Sequence, residues 1–238
     1  MIVVSIVTKN EENRYFDSCL AWVCGISDRI FIYDDQSTDD TVELARCYGA
    51  KTIVRPDSVP SFIEAEGSFR EAAWQAMLEK MGIRRGDWVL SIDADEFPIG
   101  DFELAVEELH RGGWNGGNIR IREMWDYDPL MERVDGFWGK ISGVRLCHMV
   151  DGNHSFRSKS MASGSVPAYA FKDFFNWELP VEILHCGYAD PIDRFSKFEH
   201  YMGMQHNHNP SHIKSIISEP TLMPWVGETP IIWKGFAQ

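Results

Sequence analysis

The sequence predicts one α/β domain over residues 1–238, built on a mostly parallel central sheet with helices on both faces. Apolar, β-branched runs at 2–7, 29–33, 51–55 and 87–92 alternate with helix-like stretches. This alternation is typical of a parallel sheet, because each helix must cross a face of the sheet before the next strand begins. The length favours one domain over two.

The helices are predicted from apolar spacing and from capping residues. Residues 11–26 and 67–81 place apolar side chains on one helical face. Asp39 or Asp40 can cap the helix between them, and Gly49 suits its end because glycine readily adopts left-handed backbone.

Residues 101–238 carry weaker signals. A strand is predicted at 118–122, a last strand at 180–185 and a helix at 193–204. We therefore expect this half to be less regular than the first.

Composition argues against several classes of partner, although a local basic cleft is compatible with it. The formal net charge of -13 opposes binding to nucleic acid or to an anionic bilayer. No apolar run approaches the roughly 18 residues of a membrane-spanning helix. The five cysteines include no Cys-x-x-Cys pair, which favours reduced thiols. We expect a cytoplasmic protein without a membrane span.

Polar residues follow three of the predicted strands. They are the segment Thr8–Glu11, the pair Asp34–Asp35 and the segment Asp93–Asp95. In open α/β sheets, ligands bind beyond the carboxyl ends of the strands. The shared position of these residues therefore indicates one binding site.

Asp93 and Asp95 are suited to hold a divalent cation. Alternate residues of an extended segment point the same way, so the two carboxylates can converge on one ion or on its waters. Oxygen ligands favour Mn²⁺ or Mg²⁺. The alternative is a solvated turn before a helix cap near Asp101.

The chain resembles the family 2 glycosyltransferases in motifs that occur in that family's order and approximate spacing. The matching segments are Thr8–Glu12, Ile32–Asp39, Gly49–Ala50, Phe69–Arg70 and Gly86–Glu96. The resemblance implies a Rossmann-like GT-A fold and sugar transfer from a nucleotide-sugar donor, most commonly UDP-linked, to a saccharide or other hydroxyl-bearing acceptor. It divides the chain into a nucleotide-sugar-binding half, 1–100, and an acceptor-side half, 101–238. It favours inversion, although a retaining enzyme would share the same nucleotide-site residues.

By this resemblance, the donor nucleotide is bound by residues at the strand ends and on two helices. These residues are Thr8, Asn10, Glu11, Asp34, Asp35, Arg70, Asp93, Ala94 and Lys197. Asp34 or Asp35 is expected on the base or ribose, and Arg70 on the nucleotide or its phosphate. The alternatives are a structural turn at the aspartates and a surface salt bridge at Arg70.

His185 ends the last predicted strand and resembles a histidine that many GT-A enzymes place near the metal or diphosphate. The expected ligands are therefore Asp93, Asp95 and His185, with Mn²⁺ or Mg²⁺ as cofactor.

Transfer with inversion also needs a group that takes the proton of the acceptor hydroxyl. The candidates in the second half are Asp126, Asp128, Asp151, His154 and Glu182. We name Asp95 and Glu182 as catalytic. Aromatic rings that can stack on a sugar, or pack in the core, are Trp125, Tyr127, Trp138, Phe156 and Trp177.

Two other functions fit the same features. A nucleotidyltransferase would share the parallel sheet and paired acids, but Thr8–Glu12 lacks the glycine-rich, basic phosphate loop expected after its first strand. A catalytically silent carbohydrate-binding or assembly module would bind without turnover. The apolar tail, 223–233, predicts either self-packing or a homo-oligomer contact. Gln205–His208 is predicted as surface rather than as a second metal site.

Overall fold

The computed structural model describes residues 1–157, 163–172, 174–175, 179–203 and 210–230. The strands are β1 Ile2–Thr8, β2 Ile30–Asp34, β3 Lys51–Val54, β4 Trp88–Asp93, β5 Glu96–Gly100, β6 Gly116–Tyr127, β7 Leu130–Arg133, β8 Ser142–His148, β9 Phe174–Phe175, β10 Val181–His185 and β11 Leu222–Pro224. The helices are α1 Phe16–Val23, α2 Thr41–Cys47, α3 Phe62–Met81, α4 Phe102–Gly112, α5 Pro191–Gly203 and α6 Pro210–Ser215. Trp177, the Gln205–His208 segment and the tail beyond residue 230 lie outside the described residues.

The predicted α/β fold is confirmed, and its parallel core is the row β4-β1-β2-β3. Successive residues of β1 enter different apolar layers. Val4 packs in the layer that includes residues of α1, α2 and α4, whereas Val3 packs in the layer that includes residues of α3. Helices therefore cover both faces, because a strand alternates its side chains between the two sides of the sheet.

The second half of the chain extends the same sheet with mixed pairing. β8 runs antiparallel to β4 and to β6, while β10 pairs parallel with β6 and antiparallel with β5. This arrangement places the carboxyl end of β10 beside the turn between β4 and β5. The backbone N–H of Cys186 donates to the carbonyl of Asp95 at 2.8 Å.

Several predicted boundaries differ from those observed. α1 begins at Phe16 rather than near residue 11, because the preceding segment is bound to the start of α2, where the Glu11 N–H donates to Thr41 Oγ1 at 2.7 Å. α3 begins at Phe62, earlier than predicted, with Ser61 and Glu64 forming a capping box. No described helix is long and apolar enough to cross a membrane.

Candidate active site

A cavity of about 500 Å³ opens where β1, β4 and β10 end, as predicted for an open α/β sheet. Its lining residues are Val7, Thr8, Lys9, Glu11, Arg14, Asp35, Phe62, Ile63, Phe69, Asp93, Ala94, Asp95, His185, Tyr188, Lys197 and Tyr201. The structure thus brings most of the predicted site residues to one place. Asn10, Asp34, Arg70 and Glu182 are not in this lining.

Asp95 lies between two basic side chains. Its Oδ1 is 3.6 Å from His185 Nε2, and its Oδ2 is 3.6 Å from Lys197 Nζ. Burial opposes ionisation of this carboxyl, but His185 and Lys197 outweigh it, so the pKa of Asp95 falls well below its usual range. The carboxylate is therefore charged at neutral pH.

The backbone approaches this group closely at Gly187. A Cβ added there would lie 2.5 Å from both Asp95 Oδ2 and His185 Nε2, and 2.2 Å from Lys197 Nζ. Three polar side chains therefore point into a space that any residue other than glycine would fill. Because all three side chains also line the cavity, they form a candidate ligand site where the cavity meets Gly187.

Asp93 is held from behind by Arg70. The Arg70 guanidinium, only 6% exposed, donates to Glu66 Oε1 at 3.0 Å and to Asp93 Oδ1 at 3.2 Å. It also lies 5.0 Å from the centroid of the Phe62 ring, which lines the cavity. Burial opposes the charge of Asp93, but Arg70 lowers its pKa overall. The sequence allowed a surface salt bridge for Arg70, but the salt bridges that Arg70 forms in the structure are buried.

Asp34 and Asp35 occupy different positions despite being adjacent. The Asp34 carboxylate accepts hydrogen bonds from Thr8 Oγ1 at 3.2 Å and from the Ser37 N–H at 2.8 Å. It fixes the turn after β2 and does not face the cavity. Asp35 lines the cavity and is paired with Arg55, while the Phe62 N–H donates to its Oδ2 at 3.1 Å.

Asn10 and Glu11 are also adjacent in sequence but have different surroundings. Asn10, in left-handed backbone with φ 53°, accepts through Oδ1 from the Thr38 N–H at 2.8 Å and so braces the turn after β2. Glu11 lines the cavity, with its Oε2 2.9 Å from Arg14 Nε. Burial raises the pKa of Glu11 to about 8, although Arg14 acts in the opposite direction.

Glu182, predicted as catalytic, is turned away from this cavity. Its Oε1 accepts from Arg122 Nε at 2.9 Å, and Arg122 also pairs with Glu132. Along an extended strand, a residue three positions before His185 points to the opposite face. Glu182 therefore lies on the face of the strand opposite to His185 and does not line the cavity.

The other candidates for the base and for sugar stacking also lie apart from the cavity lining. Asp126 accepts from backbone N–H groups of its own turn, Asp151 pairs with Arg85 at the surface, and His154 contacts the Val150 carbonyl. Trp125 and Trp138 are buried in a core cluster with Tyr188 and Ile216. Phe156 is buried in the core layer beside α3, and Tyr127 is exposed outside the cavity lining.

Glu123 is a site residue that the sequence did not reveal. Its Oε2 lies 2.6 Å from His185 Nδ1, and its side chain is buried. Burial opposes a charged imidazole, but Glu123 and Asp95 raise the pKa of His185 well above its usual value. The signal was absent because the pairing of β6 with β10 is a long-range contact that no local pattern shows.

Among the residues that the structure describes, no group of three or more His, Cys, Asp or Glu side chains is arranged to hold a metal ion. Asp95 and His185 are the pair that faces the space beside Gly187, and Asp93 is engaged by Arg70.

Comparison with known proteins places this chain in a family. The model of "Glycosyl transferase family 2" matches residues 3–170, and the chain belongs to that family of glycosyltransferases. An uncharacterized glycosyltransferase of Rickettsia typhi is 40% identical over 91 residues, which cover 38% of this chain and 26% of that protein. An uncharacterized protein of Mycobacterium tuberculosis is 32% identical over 210 residues, which cover 85% of this chain and 50% of that protein. The chain thus spans half or less of the length of these relatives.

A solved structure of glucosyl-3-phosphoglycerate synthase from Mycobacterium tuberculosis, in complex with Mn²⁺ and UDP-glucose, is also similar. It is 24% identical, covers 52% of this chain and 43% of that chain, and gives a TM-score of 0.35. At that TM-score the similarity supports no conclusion about the ligands of this chain.

Proposed function

We propose that the chain transfers a sugar from a nucleotide-sugar donor, most commonly UDP-linked, to a hydroxyl-bearing acceptor such as a saccharide. One observation carries the proposal: Asp95, His185 and Lys197 converge on the space beside Gly187 at the end of the parallel sheet. Family membership supplies the reaction class.

Asp95 and His185 fit a divalent cation, Mn²⁺ or Mg²⁺. A carboxylate oxygen and an imidazole nitrogen are suitable ligands for Mn²⁺, and Asp95 Oδ1 and His185 Nε2 lie 3.6 Å apart beside a glycine whose missing side chain lets them approach. Such cations commonly take one or two protein ligands and complete their shell with substrate phosphate and water. When bound, the ion neutralises charge on the departing diphosphate. Asp93 would act on the ion through water or by holding Arg70 in place.

The protein's own residues then bind and orient the donor. Lys197 contributes a positive charge to the cavity lining, and its flexible side chain could reach from Asp95 to a phosphate oxygen. Phe62 and Ile63 supply the apolar wall of the cavity, and Lys9, Glu11 and Asp35 supply its polar rim. Asp34 and Asn10 contribute by bracing the turn after β2 rather than by contact. The donor base, the acceptor and inversion remain predictions, as does the cytoplasmic location.

Calorimetry with UDP, GDP, CDP and dTDP, with and without Mn²⁺, tests the proposal. We expect one nucleotide to bind in a Mn²⁺-dependent manner to the wild type and to lose that dependence in Asp95→Asn. Asp151→Asn, an exposed change on the Arg85 pair, serves as the matched control and should bind as the wild type does. Equal Mn²⁺ dependence in Asp95→Asn would remove Asp95 from the metal site. Donor binding without transfer or hydrolysis would favour the silent module.

A further inference from the structure

The imidazole of His185 is set between two carboxylates on neighbouring strands. β10 pairs with β6 so that His185 lies directly beside Glu123, and directly paired residues project to the same face of a sheet. The contact between Glu123 Oε2 and His185 Nδ1 is 2.6 Å. On the other side of the ring, Nε2 is 3.6 Å from Asp95 Oδ1.

This contact decides which ring nitrogen is free for a ligand. A carboxylate has only acceptor sites when ionised, so the Nδ1 position must carry the hydrogen of the bond to Glu123. The Nε2 atom is then the nitrogen whose lone pair becomes available to a cation, because binding of the cation displaces the proton that Nε2 carries in the imidazolium form. Nε2 is also the ring atom nearest to Gly187: a Cβ added to this glycine would lie 2.5 Å from Nε2 and 2.5 Å from Asp95 Oδ2.

Several carboxylates lie on the strands around His185, and Glu123 is the one bonded to Nδ1 of the His185 imidazole. Glu96 is also paired with His185, across β5 and β10, but its Oε1 accepts from Arg145 and its Oε2 accepts from the Asp93 N–H at 3.0 Å. Glu132 and Glu182 are both bound to Arg122. Glu123 is 4% exposed, so water does not compete freely for its oxygens.

We propose that Glu123 is a positioning residue: it accepts the hydrogen bond from His185 Nδ1 and thereby aims His185 Nε2 into the space between Asp95 and Gly187. The inference rests on the proposed function, because it assigns Glu123 a purpose through the cation that Asp95 and His185 would hold. Carboxylates that fix a ligating histidine in this way raise the affinity of the histidine for metal and prevent its ring from rotating.

The test measures Mn²⁺ binding by electron paramagnetic resonance in wild type, Glu123→Gln and Glu123→Ala, with Glu132→Gln as the matched control. Glu132 is likewise a buried carboxylate of the sheet, but it pairs with Arg122 rather than with His185. We expect Mn²⁺ affinity to fall by about tenfold in Glu123→Gln, whose amide oxygen can still accept, and toward about 100-fold in Glu123→Ala. Glu132→Gln should retain wild-type affinity.

A second readout does not depend on activity or on metal. In proton NMR, the hydrogen shared by His185 Nδ1 and Glu123 should give a downfield resonance that is lost in His185→Gln and Glu123→Ala and kept in Glu132→Gln. Thermal unfolding and circular dichroism verify that Glu123→Gln and Glu123→Ala are folded.

The outcomes separate the two proposals. Wild-type protein that binds no Mn²⁺, alone or with UDP, overturns the metal assignment and the inference with it. Wild-type protein that binds Mn²⁺ while Glu123→Gln and Glu123→Ala bind it equally well overturns the inference alone and leaves the metal assignment standing.

Discussion

Asp95 and His185 are brought together by the antiparallel pairing of β5 and β10, which leaves Asp95 Oδ1 3.6 Å from His185 Nε2. The backbone bond from the Cys186 N–H to the Asp95 carbonyl locks the two segments in register. Gly187 follows Cys186 and has no side chain, so the backbone continues past Asp95 and His185 without a side chain that would cover them. The pair is therefore both fixed and accessible, which are the two requirements of a ligand site.

Gly187→Ala should weaken cation binding without unfolding the protein. The new methyl group would overlap Asp95 Oδ2, His185 Nε2 and Lys197 Nζ, which are side-chain ends that can swing away. We expect Mn²⁺ affinity, measured by electron paramagnetic resonance, to fall about tenfold or more. Gly203→Ala, where a Cβ meets nothing within 4 Å, is the control. Retained affinity in Gly187→Ala would place the cation elsewhere.

Lys197→Met should weaken nucleotide diphosphate binding. The change removes the ammonium beside Asp95 while keeping an unbranched apolar stem of similar length. A hydrogen bond to a charged group contributes about 1.5–3 kcal/mol, so we expect at least about a tenfold rise in the Kd measured by calorimetry. Lys51→Met, at an exposed position of β3, should leave the Kd unchanged. An unchanged Kd in Lys197→Met would show that Lys197 does not bind the diphosphate and only pairs with Asp95.

Arg70→Lys should destabilise the fold, because a lysine keeps the charge but cannot bridge Glu66 and Asp93 as the guanidinium does. We expect the free energy of unfolding in urea to fall by about 1–3 kcal/mol. Arg85→Lys, in the exposed pair with Asp151, should change it by less than about 0.5 kcal/mol. Equal effects of the two substitutions would contradict a structural role for the buried Arg70 network.

Glu11 should make stability depend on pH. Burial raises its pKa from 4.5 to about 8, so the folded state binds more protons than the unfolded state between these values. The wild-type free energy of unfolding should therefore fall, relative to Glu11→Gln, as the pH rises from about 4.5 to about 8. Urea unfolding across this range measures the difference. Glu43→Gln, at an exposed position, is the control. If the difference in unfolding free energy between wild type and Glu11→Gln did not change with pH, Glu11 would be ionised throughout this range.

The sequence predicted the alternating strands and helices well because these depend on local pattern. β1, β2 and β4 are apolar runs with short-range signals, and the acids at their ends mark the site because parallel strands end on one edge. The convergence of Thr8, Asp35 and Asp93 on one cavity followed from that rule. β5 was not predicted, because Glu96–Gly100 is short and contains a proline.

The sequence by itself determined the fold class, the family and the edge of the sheet where the site lies. Only the tertiary structure decided which of two adjacent acids faces the cavity, since Asp34 is used by the turn after β2 and Asp35 is not. It also paired Glu123 with His185 and turned Glu182 toward Arg122. These outcomes depend on the register between distant strands, and a one-residue change of register would send each side chain to the other face.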